Sequence, residues 1–471
     1  MGKMKIVEYV NSHNMIGKFK NKILIAAIFG LFFLISFNVQ AANFTDNQTV
    51  DSNKTWIISF NSEISFDDLT KQGIIVTDSK GNKVDVGIQL GQDSKTVAVT
   101  APQGGYTSGE SYTLNVGEQV HSTKGKTLNK KCTLNFNIKS NEDEILDGEK
   151  VKSGNLSIDY DIEQVLSDID KFQLNTLNIP VKIKIDNLSS SNMEVDKDSE
   201  STAIGLIKQL KGRDIKIILE PYPWIAEGGK SETDWNPDDM DTFFSNWRVN
   251  VLKTLVDDIA VPYNVDALNI GSNFVNIEPE EKKWCDTIDY VRTYYKGLVT
   301  YRTNWWYTAS WDTKSITDYE NKLNNKLFSK LDFISIAAYF ELTNNATNTV
   351  EHLVSAIENS QISVNGEIRN QNIKQEIKNF YDKWNKPIFF GELGFPKTDE
   401  ASFHPWKPDE NSTVNNVEQA NCFEAYRREF ENEPWLLGFS AFAIGKQDDN
   451  KQYYPSKEST LVIRNWYSKE Q

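Results

Sequence analysis

The sequence predicts an all-β sandwich followed by an α/β barrel of eight parallel strands, and three observations carry this prediction. The chain has 471 residues, which is more than one ordinary hydrophobic core accommodates. Its first part alternates apolar and polar residues in short runs, whereas its later part alternates apolar runs with longer amphipathic stretches. The first pattern is typical of half-buried antiparallel strands and the second of strand–helix units around a parallel sheet.

Residues 1–41 have the pattern of a signal peptide. Lys18, Lys20 and Lys22 precede an apolar run at 23–39, which ends in Val39-Gln40-Ala41. The run is near the shorter limit for crossing a bilayer, so an N-terminal membrane anchor is the alternative interpretation. The residues before Ala42 favour cleavage after Ala41, which predicts a secreted or cell-surface associated protein.

Charge and composition restrict the classes of partner. Removal of residues 1–41 takes away five Lys and one Glu, which changes the formal net charge from −15 to −19. An acidic surface repels phosphate, so nucleic acid is a poor candidate and a polysaccharide or oligosaccharide is compatible. The remaining histidines, His121, His352 and His404, lack the spacing of metal ligands, so we expect no metal site. Three cysteines are too few for a disulfide framework; a Cys285–Cys422 bridge and buried free thiols both stay open.

The segment 42–140 is predicted to form the sandwich. Apolar–polar runs at 55–60, 73–76, 96–99 and 132–136 are separated by turn residues such as Gly81-Asn82 and Gly104-Gly105. The text Trp-Ile-Ile-Ser-Phe-Asn-Ser-Glu-Ile at 56–64, with Gly-Glu-Ser-Tyr-Thr-Leu-Asn-Val at 109–116, resembles the SbsA-type bacterial Ig-like domain. The resemblance implies a spacer or adhesion module, compatible with association to a cell wall.

A polar, acidic stretch at 141–155, including 141–144, is predicted to be a linker. The barrel is predicted to occupy 156–471. Its strands are expected at 176–179, 215–219, 267–270, 297–301, 333–337, 387–390 and 436–439.

The residues that follow these strands are the candidate site, because function in such barrels lies at the carboxyl ends of the strands. Glu392 follows the 387–390 strand between Gly391 and Gly394, where a carboxylate suits attack on an anomeric carbon. Tyr339 is expected to donate a hydrogen bond to Glu392. Trp224, Trp305 and Trp306 are candidate platforms for pyranose rings; the alternative is that these tryptophans are core residues.

These segments resemble clan A glycoside hydrolases, most closely the family 113 endo-β-1,4-mannanases, over residues 160–467. The matching motifs are Asn304-Trp305 after strand five, Ala338-Tyr339-Phe340 after strand six and Gly391-Glu392-Leu393-Gly394 after strand seven. The resemblance implies a retaining mechanism with Glu392 as nucleophile, substrate binding by Asn304 and Trp305, and no cofactor.

The chain departs from the family at strand four, where Asn273 stands in place of the acid/base glutamate. An amide cannot donate the proton that a general acid supplies, although it can hydrogen-bond the glycosidic oxygen. Strand three reads Glu220-Pro221-Tyr222, and residues two apart on a strand face the same side, so Glu220 and Tyr222 are predicted at the site.

Three functional hypotheses follow. In the first, the protein is a glycoside hydrolase in which Glu220, Glu278 or Glu341 supplies the proton, with Glu220 favoured. In the second, it is a catalytically impaired barrel that binds carbohydrate at the cell surface. A purely structural or adhesive role ranks last, because it leaves the aromatic strand ends without a purpose.

Overall fold

The computed structural model describes residues 5–7, 48–50, 52–91, 93–107, 109–128, 131–138, 149–228, 230–448 and 451–467. The chain divides into two compact units, residues 1–139 and 140–471. The predicted signal peptide lies outside the described residues except for a short strand, β1 (Lys5–Val7). No helix in the described part of the chain is long and apolar enough to cross a membrane.

The first unit is the predicted sandwich. Its two sheets have the orders β1-β3-β7-β6 and β2-β9-β8-β4-β5, with every pairing antiparallel except that of β2 with β9. Trp56, Tyr106 and Phe136 lie in the core between them, with ring centroids 5.0–5.2 Å apart for the pairs with Phe136. Besides β1, the strands are β2 Gln48–Val50, β3 Trp56–Ser59, β4 Ile74–Asp78, β5 Lys83–Val84, β6 Gly87–Leu90, β7 Thr96–Thr100, β8 Ser111–Val116 and β9 Cys132–Ile138, with helix α1 Asp68–Gln72.

The second unit is a closed barrel of eight parallel strands, which confirms the predicted fold. Its sheet order is β10-β20-β19-β16-β15-β14-β13-β11, and β10 also pairs with β11. The seven predicted strands are all present. The barrel strands are β10 Val151–Leu156, β11 Thr176–Ile185, β13 Lys216–Ile225, β14 Ala267–Ser272, β15 Leu298–Asn304, β16 Ile334–Ala337, β19 Ile388–Leu393 and β20 Leu436–Ile444; β12 Glu194–Val195 and the hairpin β17 Ser360–Val364, β18 Glu367–Gln371 lie outside the barrel wall.

The helices follow the barrel strands along the chain, and several begin at a side chain that caps their free N–H groups. Asp161, Asp196 and Asp312 are such caps. The helices are α2 Ile162–Phe172, α3 Lys197–Leu210, α4 Met240–Asn246, α5 Lys253–Leu255, α6 Glu281–Tyr294, α7 Thr313–Asn324, α8 Val350–Glu358, α9 Ile373–Trp384, α10 Asn416–Phe430 and α11 Lys457–Asn465; π-helical turns Trp247–Leu252 and Val256–Ala260 flank α5, and Lys326–Lys330 is a 3₁₀ helix.

The first barrel strand corrects the predicted linker. Residues 151–155 were assigned to the linker 141–155, but they belong to β10, whose six residues are all buried. Only Val151 and Leu156 in this strand are large and apolar, so it lacks the hydrophobic pattern of its neighbours. The Lys152 ammonium donates to the Arg464 carbonyl at 2.7 Å, and burial lowers the pKa of Lys152 to about 8.

Two long strands extend the barrel on one side. β11 and β13 pair over ten residues, Thr176–Ile185 with Lys216–Ile225, whereas β10 pairs with β11 only at Thr176–Asn178. The upper part of β11 therefore runs past the end of β10, and β12 covers its free edge at Ile183 and Lys184.

Candidate active site

Glu392 lies at the carboxyl end of β19 with 13% of its side chain exposed. The glycines beside it are required by close packing. A Cβ atom on Gly391 would lie 2.8 Å from Arg302 Nε, and one on Gly394 would lie 2.6 Å from the Phe442 carbonyl oxygen. The Asn155 amide donates to the Gly391 carbonyl at 2.9 Å. This end of β19 is thus fixed from both sides, and the carboxylate faces the barrel mouth.

Arg302, on β15, joins two carboxylates in the barrel interior. Its Nη1 donates to Glu392 Oε1 at 2.6 Å, and its Nη2 donates to Glu220 Oε1. The Arg302 side chain is only 3% exposed. Glu220 also accepts from Asn178, and although Arg302 opposes the effect, burial raises the pKa of Glu220. Sequence reasoning missed Arg302; the available signal was a single arginine within the apolar strand Leu298–Asn304.

Tyr339 lies near Glu392, two residues beyond the end of β16. Burial raises the pKa of Tyr339, and the negative charge of Glu392 raises it further. The hydrogen bond from Tyr339 to Glu392 stays a prediction. Phe442 and Tyr453 pack beside Tyr339, with ring centroids 6.3 Å from that of Tyr339.

Asn273 lies directly after β14 and is 5% exposed. Its backbone N–H donates to the Arg302 carbonyl at 2.9 Å, and its φ of 58° is a left-handed conformation that asparagine tolerates better than most residues. Its side-chain Nδ2 donates to Glu232 Oε1 at 3.0 Å. Its Oδ1 is buried and has no hydrogen-bond partner.

Glu232 is a site residue that sequence reasoning missed. It lies between β13 and α4, in a polar loop whose residues carry no strand or helix pattern. Burial raises the pKa of Glu232, and the negative charge of Glu392 raises it further, while the Asn273 amide opposes both effects. The same two carboxylates contribute, after burial, to a raised pKa of Tyr222.

The other predicted carboxylates occupy ion pairs. Glu278 accepts from Lys322 at 2.6 Å and from the Thr303 hydroxyl at 2.8 Å. Because Arg302 faces the barrel interior, its neighbour Thr303 faces the surrounding helices, and Glu278 lies with it behind the barrel wall. Glu341 is ion-paired with Arg369 of the β17–β18 hairpin. Neither glutamate contacts Glu392, so the prediction that either could act as acid is not supported by their positions.

The exposed aromatic residues of β13 follow the predicted alternation. Glu220, Tyr222 and Trp224 share one face of the strand, and their exposure rises from 4% to 37% to 46% along it. Lys182 on β11 places its ammonium 4.7 Å from the Trp224 ring centroid. Tyr222 and Trp224 therefore present partly open faces beyond the buried Glu220.

Asn304 and Trp305 follow Arg302 and are both partly buried. The Trp305 ring stacks on Trp406, with centroids 4.6 Å apart and planes at 28°. This pair is an aromatic surface beside the carboxyl end of β15.

Trp306 corrects the predicted set of sugar-binding residues. It is 7% exposed and packs on Tyr319 and Phe380. Its indole N–H donates to Glu376 at 2.8 Å. This burial and packing make Trp306 a core residue, so it is not one of the platforms at the mouth.

The described residues contain no group of three or more His, Cys, Asp or Glu side chains placed to hold a metal ion. Cys132, Cys285 and Cys422 are free thiols, so no Cys285–Cys422 bridge is formed.

Comparison with known proteins gives two family matches. The model of Glycoside Hydrolase Family 113 matches residues 153–460, and that of the Bacterial Ig-like domain matches residues 35–138. Both resemblances stated from the sequence are confirmed by these matches.

Solved structures share the barrel. The chain resembles a complex of a family 113 β-1,4-mannanase with 21% identity, a TM-score of 0.52, and coverage of 68% of this chain and 99% of the other. It also resembles the family 113 β-mannanase of Alicyclobacillus acidocaldarius in complex with ManMIm, with 16% identity, a TM-score of 0.54, and coverage of 68% and 98%. At these identities the likeness concerns the fold. A search of curated proteins found no significant match.

Proposed function

Since the chain belongs to glycoside hydrolase family 113, we propose that it hydrolyses a β-linked polysaccharide of the mannan type with retention of configuration and with Glu392 as the nucleophile. One observation supports the proposal most directly: Arg302 donates a hydrogen bond to a Glu392 carboxylate that stays 13% exposed at the barrel mouth. A carboxylate that is held in place and open to the mouth is suited to attack an anomeric carbon in a retaining mechanism.

The mechanism assigns separate tasks to these side chains. Glu392 attacks the anomeric carbon and forms a glycosyl ester, which water then hydrolyses. Arg302 holds the carboxylate in one orientation while it attacks. The exposed faces of Tyr222, Trp224 and Trp305 support pyranose rings on either side of the cleaved bond. The neighbours named as β-1,4-mannanases make mannan the first polymer to test.

A trapping experiment tests the nucleophile. The native protein is incubated with 2-deoxy-2-fluoro-β-mannosyl fluoride, whose fluoride leaves without protonation, so the outcome does not depend on the general acid. We expect a stable mass increase of one fluorosugar on the peptide that contains Glu392, and no such increase in Glu392→Gln. Labelling of a different carboxylate would remove Glu392 from this role.

Asn273 favours a second candidate function, a barrel that binds carbohydrate without turnover. Loss of a general acid lowers the rate by about 10² to 10⁴. Native protein that binds mannan in calorimetry, but neither releases sugar nor accumulates the fluorosugar ester, would support this alternative.

The proposed location is extracellular. The N-terminal pattern that predicts cleavage after Ala41 supports export, and the Ig-like domain is compatible with attachment to a cell wall. Protein recovered from the medium should begin at Ala42 in N-terminal sequencing; a mature chain that begins at Met1 would contradict export by a cleaved signal.

A further inference from the structure

We propose that Glu232 is the general acid and base of this enzyme, and that Asn273 positions its carboxylate at the place where the strand-four glutamate of relatives would act. The inference rests on the proposed function. In this protein the proton donor would lie in the loop between β13 and α4, whereas in relatives it lies at the end of a barrel strand.

The position of Asn273 carries the first step. Its backbone is hydrogen-bonded to Arg302, the residue that also binds Glu392, so Asn273 and Glu392 are fixed to the same arginine. Asparagine is one methylene shorter than glutamate. Glu232 Oε1 lies 3.0 Å from Asn273 Nδ2, beyond the end of the shorter side chain. A carboxylate is therefore present near the space that a glutamate at position 273 would fill.

The charge environment carries the second step. Glu220 is ion-paired with Arg302, Glu278 with Lys322 and Glu341 with Arg369. Among the described residues, no Lys, Arg or His lies within ion-pair distance of Glu232. A carboxylate without a cationic partner retains a proton more readily than one in an ion pair.

The groups around Glu232 oppose one another, and those that favour its protonated form prevail. Burial and the Glu392 charge favour the protonated form, whereas the Asn273 amide and the more distant Arg302 favour the ionised form, and the net effect is a raised pKa. Burial raises the pKa of Tyr222 and the charges of the same two carboxylates raise it further, so its phenol adds no negative charge beside Glu232. When Glu392 becomes an ester it loses its charge, which lowers the pKa of Glu232 and converts it from an acid to a base.

The buried Oδ1 of Asn273 provides an independent observation. It has no partner in the described structure, and a buried acceptor without a hydrogen bond is costly. A sugar hydroxyl that enters beside Glu232 would supply the missing donor.

The proton and electron pairs balance in both steps. In the first, a Glu392 oxygen bonds to the anomeric carbon, the bond to the glycosidic oxygen breaks, and that oxygen takes the Glu232 proton. In the second, the Glu232 carboxylate takes a proton from water, the water oxygen bonds to the anomeric carbon, and the ester bond to Glu392 breaks. Both glutamates return to their starting states.

The test compares Glu232→Gln and Glu232→Ala with the native full-length protein on mannan and on 2,4-dinitrophenyl β-mannoside. We expect Glu232→Gln to hydrolyse mannan about 10² to 10⁴ times more slowly. With the aryl substrate, whose leaving group needs no proton, it should still release a burst of dinitrophenol and accumulate a mannosyl-enzyme. Azide should accelerate Glu232→Ala on that substrate and yield β-mannosyl azide, because azide attacks without a general base.

Glu227→Gln is the matched control, since Glu227 is an exposed glutamate of the same loop. It should match the native protein in both assays, and the circular dichroism melting curves of all variants should coincide. Glu232→Gln that hydrolyses mannan at the native rate, or Glu232→Ala that yields no azide product, would overturn the role of Glu232 alone. Native protein inert on both substrates would overturn the proposed function, and the role of Glu232 with it.

Discussion

Arg302 is the common ion-pair partner of two carboxylates, the buried Glu220 and the partly exposed Glu392. Replacing it with Met leaves both without a cation, and breaking a buried pair in this way costs about 3–5 kcal/mol. We expect Arg302→Met to lower the free energy of unfolding by about that amount in urea titrations. Arg302→Lys retains one charge but cannot donate to both glutamates in the same geometry, so it should be less destabilised; equal losses for the two variants would contradict this account.

Asn273 and Glu232 are hydrogen-bonded to each other, and we expect that their proposed roles can be exchanged. The double variant Asn273→Glu/Glu232→Gln returns the carboxylate to the strand-four end, and we expect it to hydrolyse mannan faster than Glu232→Gln alone. Glutamate in a left-handed conformation costs about 1 kcal/mol, so recovery should be partial. Asn273→Ala/Glu232→Gln is the control and should show no recovery. Mannan hydrolysis that stays at the Glu232→Gln level in both double variants would contradict the exchange.

The pH dependence of hydrolysis follows from the raised pKa of Glu232. The acid works only when protonated, so a raised pKa moves the alkaline decline of kcat/KM on mannan to higher pH than an ordinary glutamate gives. In Glu232→Gln the residual kcat/KM on mannan should no longer show this alkaline decline, the alkaline limb of the pH profile. An alkaline limb that persists unchanged in the variant would assign it to another group.

At the scale of elements, the segment after β15 places adjacent tryptophans in opposite environments. Trp305→Ala should raise KM for mannan and leave the melting temperature nearly unchanged, because Trp305 is partly exposed on Trp406. Trp306→Ala should instead destabilise the protein by about 3–5 kcal/mol, since it removes a buried ring from the core. Unfolding curves and mannan kinetics on both variants separate the two effects; the reverse pattern would refute the assignment.

The barrel strands differ in how readily their hydrophobic patterns predict them. Pro387–Phe390 and Ala267–Ile270 are apolar runs, as strands buried on both faces should be, and these were predicted. β10 was not, because Ser153 and Asn155 face a polar barrel interior, where the Ser153 hydroxyl donates to Asn178 at 2.7 Å, and Gly154 between them has no side chain. Because β10 forms hydrogen bonds inside the barrel, its residues are polar and small, and such a composition is also typical of a linker.

The site residues that follow barrel strands could be predicted from the sequence, whereas the site residue in an irregular loop could not. Glu392 and Tyr339 follow recognisable apolar strands, so their convergence could be expected. Glu232 comes from an irregular loop, and its proximity to Asn273 is a tertiary contact between residues 41 positions apart. The local order of apolar and polar residues does not predict such a contact.

At the scale of the whole molecule, the division at residues 139 and 140 separates two cores. A chain of residues 149–471 retains β10 and every other barrel element, so we expect it to be soluble and to unfold cooperatively. Near-ultraviolet circular dichroism and mannan hydrolysis should match those of the full chain. Insoluble or molten protein would show that the barrel depends on the Ig-like domain.

We expect the unequal height of the barrel wall to make turnover depend on the length of the substrate. Trp224 lies four residues beyond Glu220 on β13, which is about 13 Å along the strand. A disaccharide bound for cleavage at Glu392 would be too short to reach Trp224. A longer oligosaccharide would reach it and gain the energy of stacking on the Trp224 ring. The turnover rate should therefore increase with the length of the oligosaccharide and then become constant. The shortest products should accumulate without further hydrolysis.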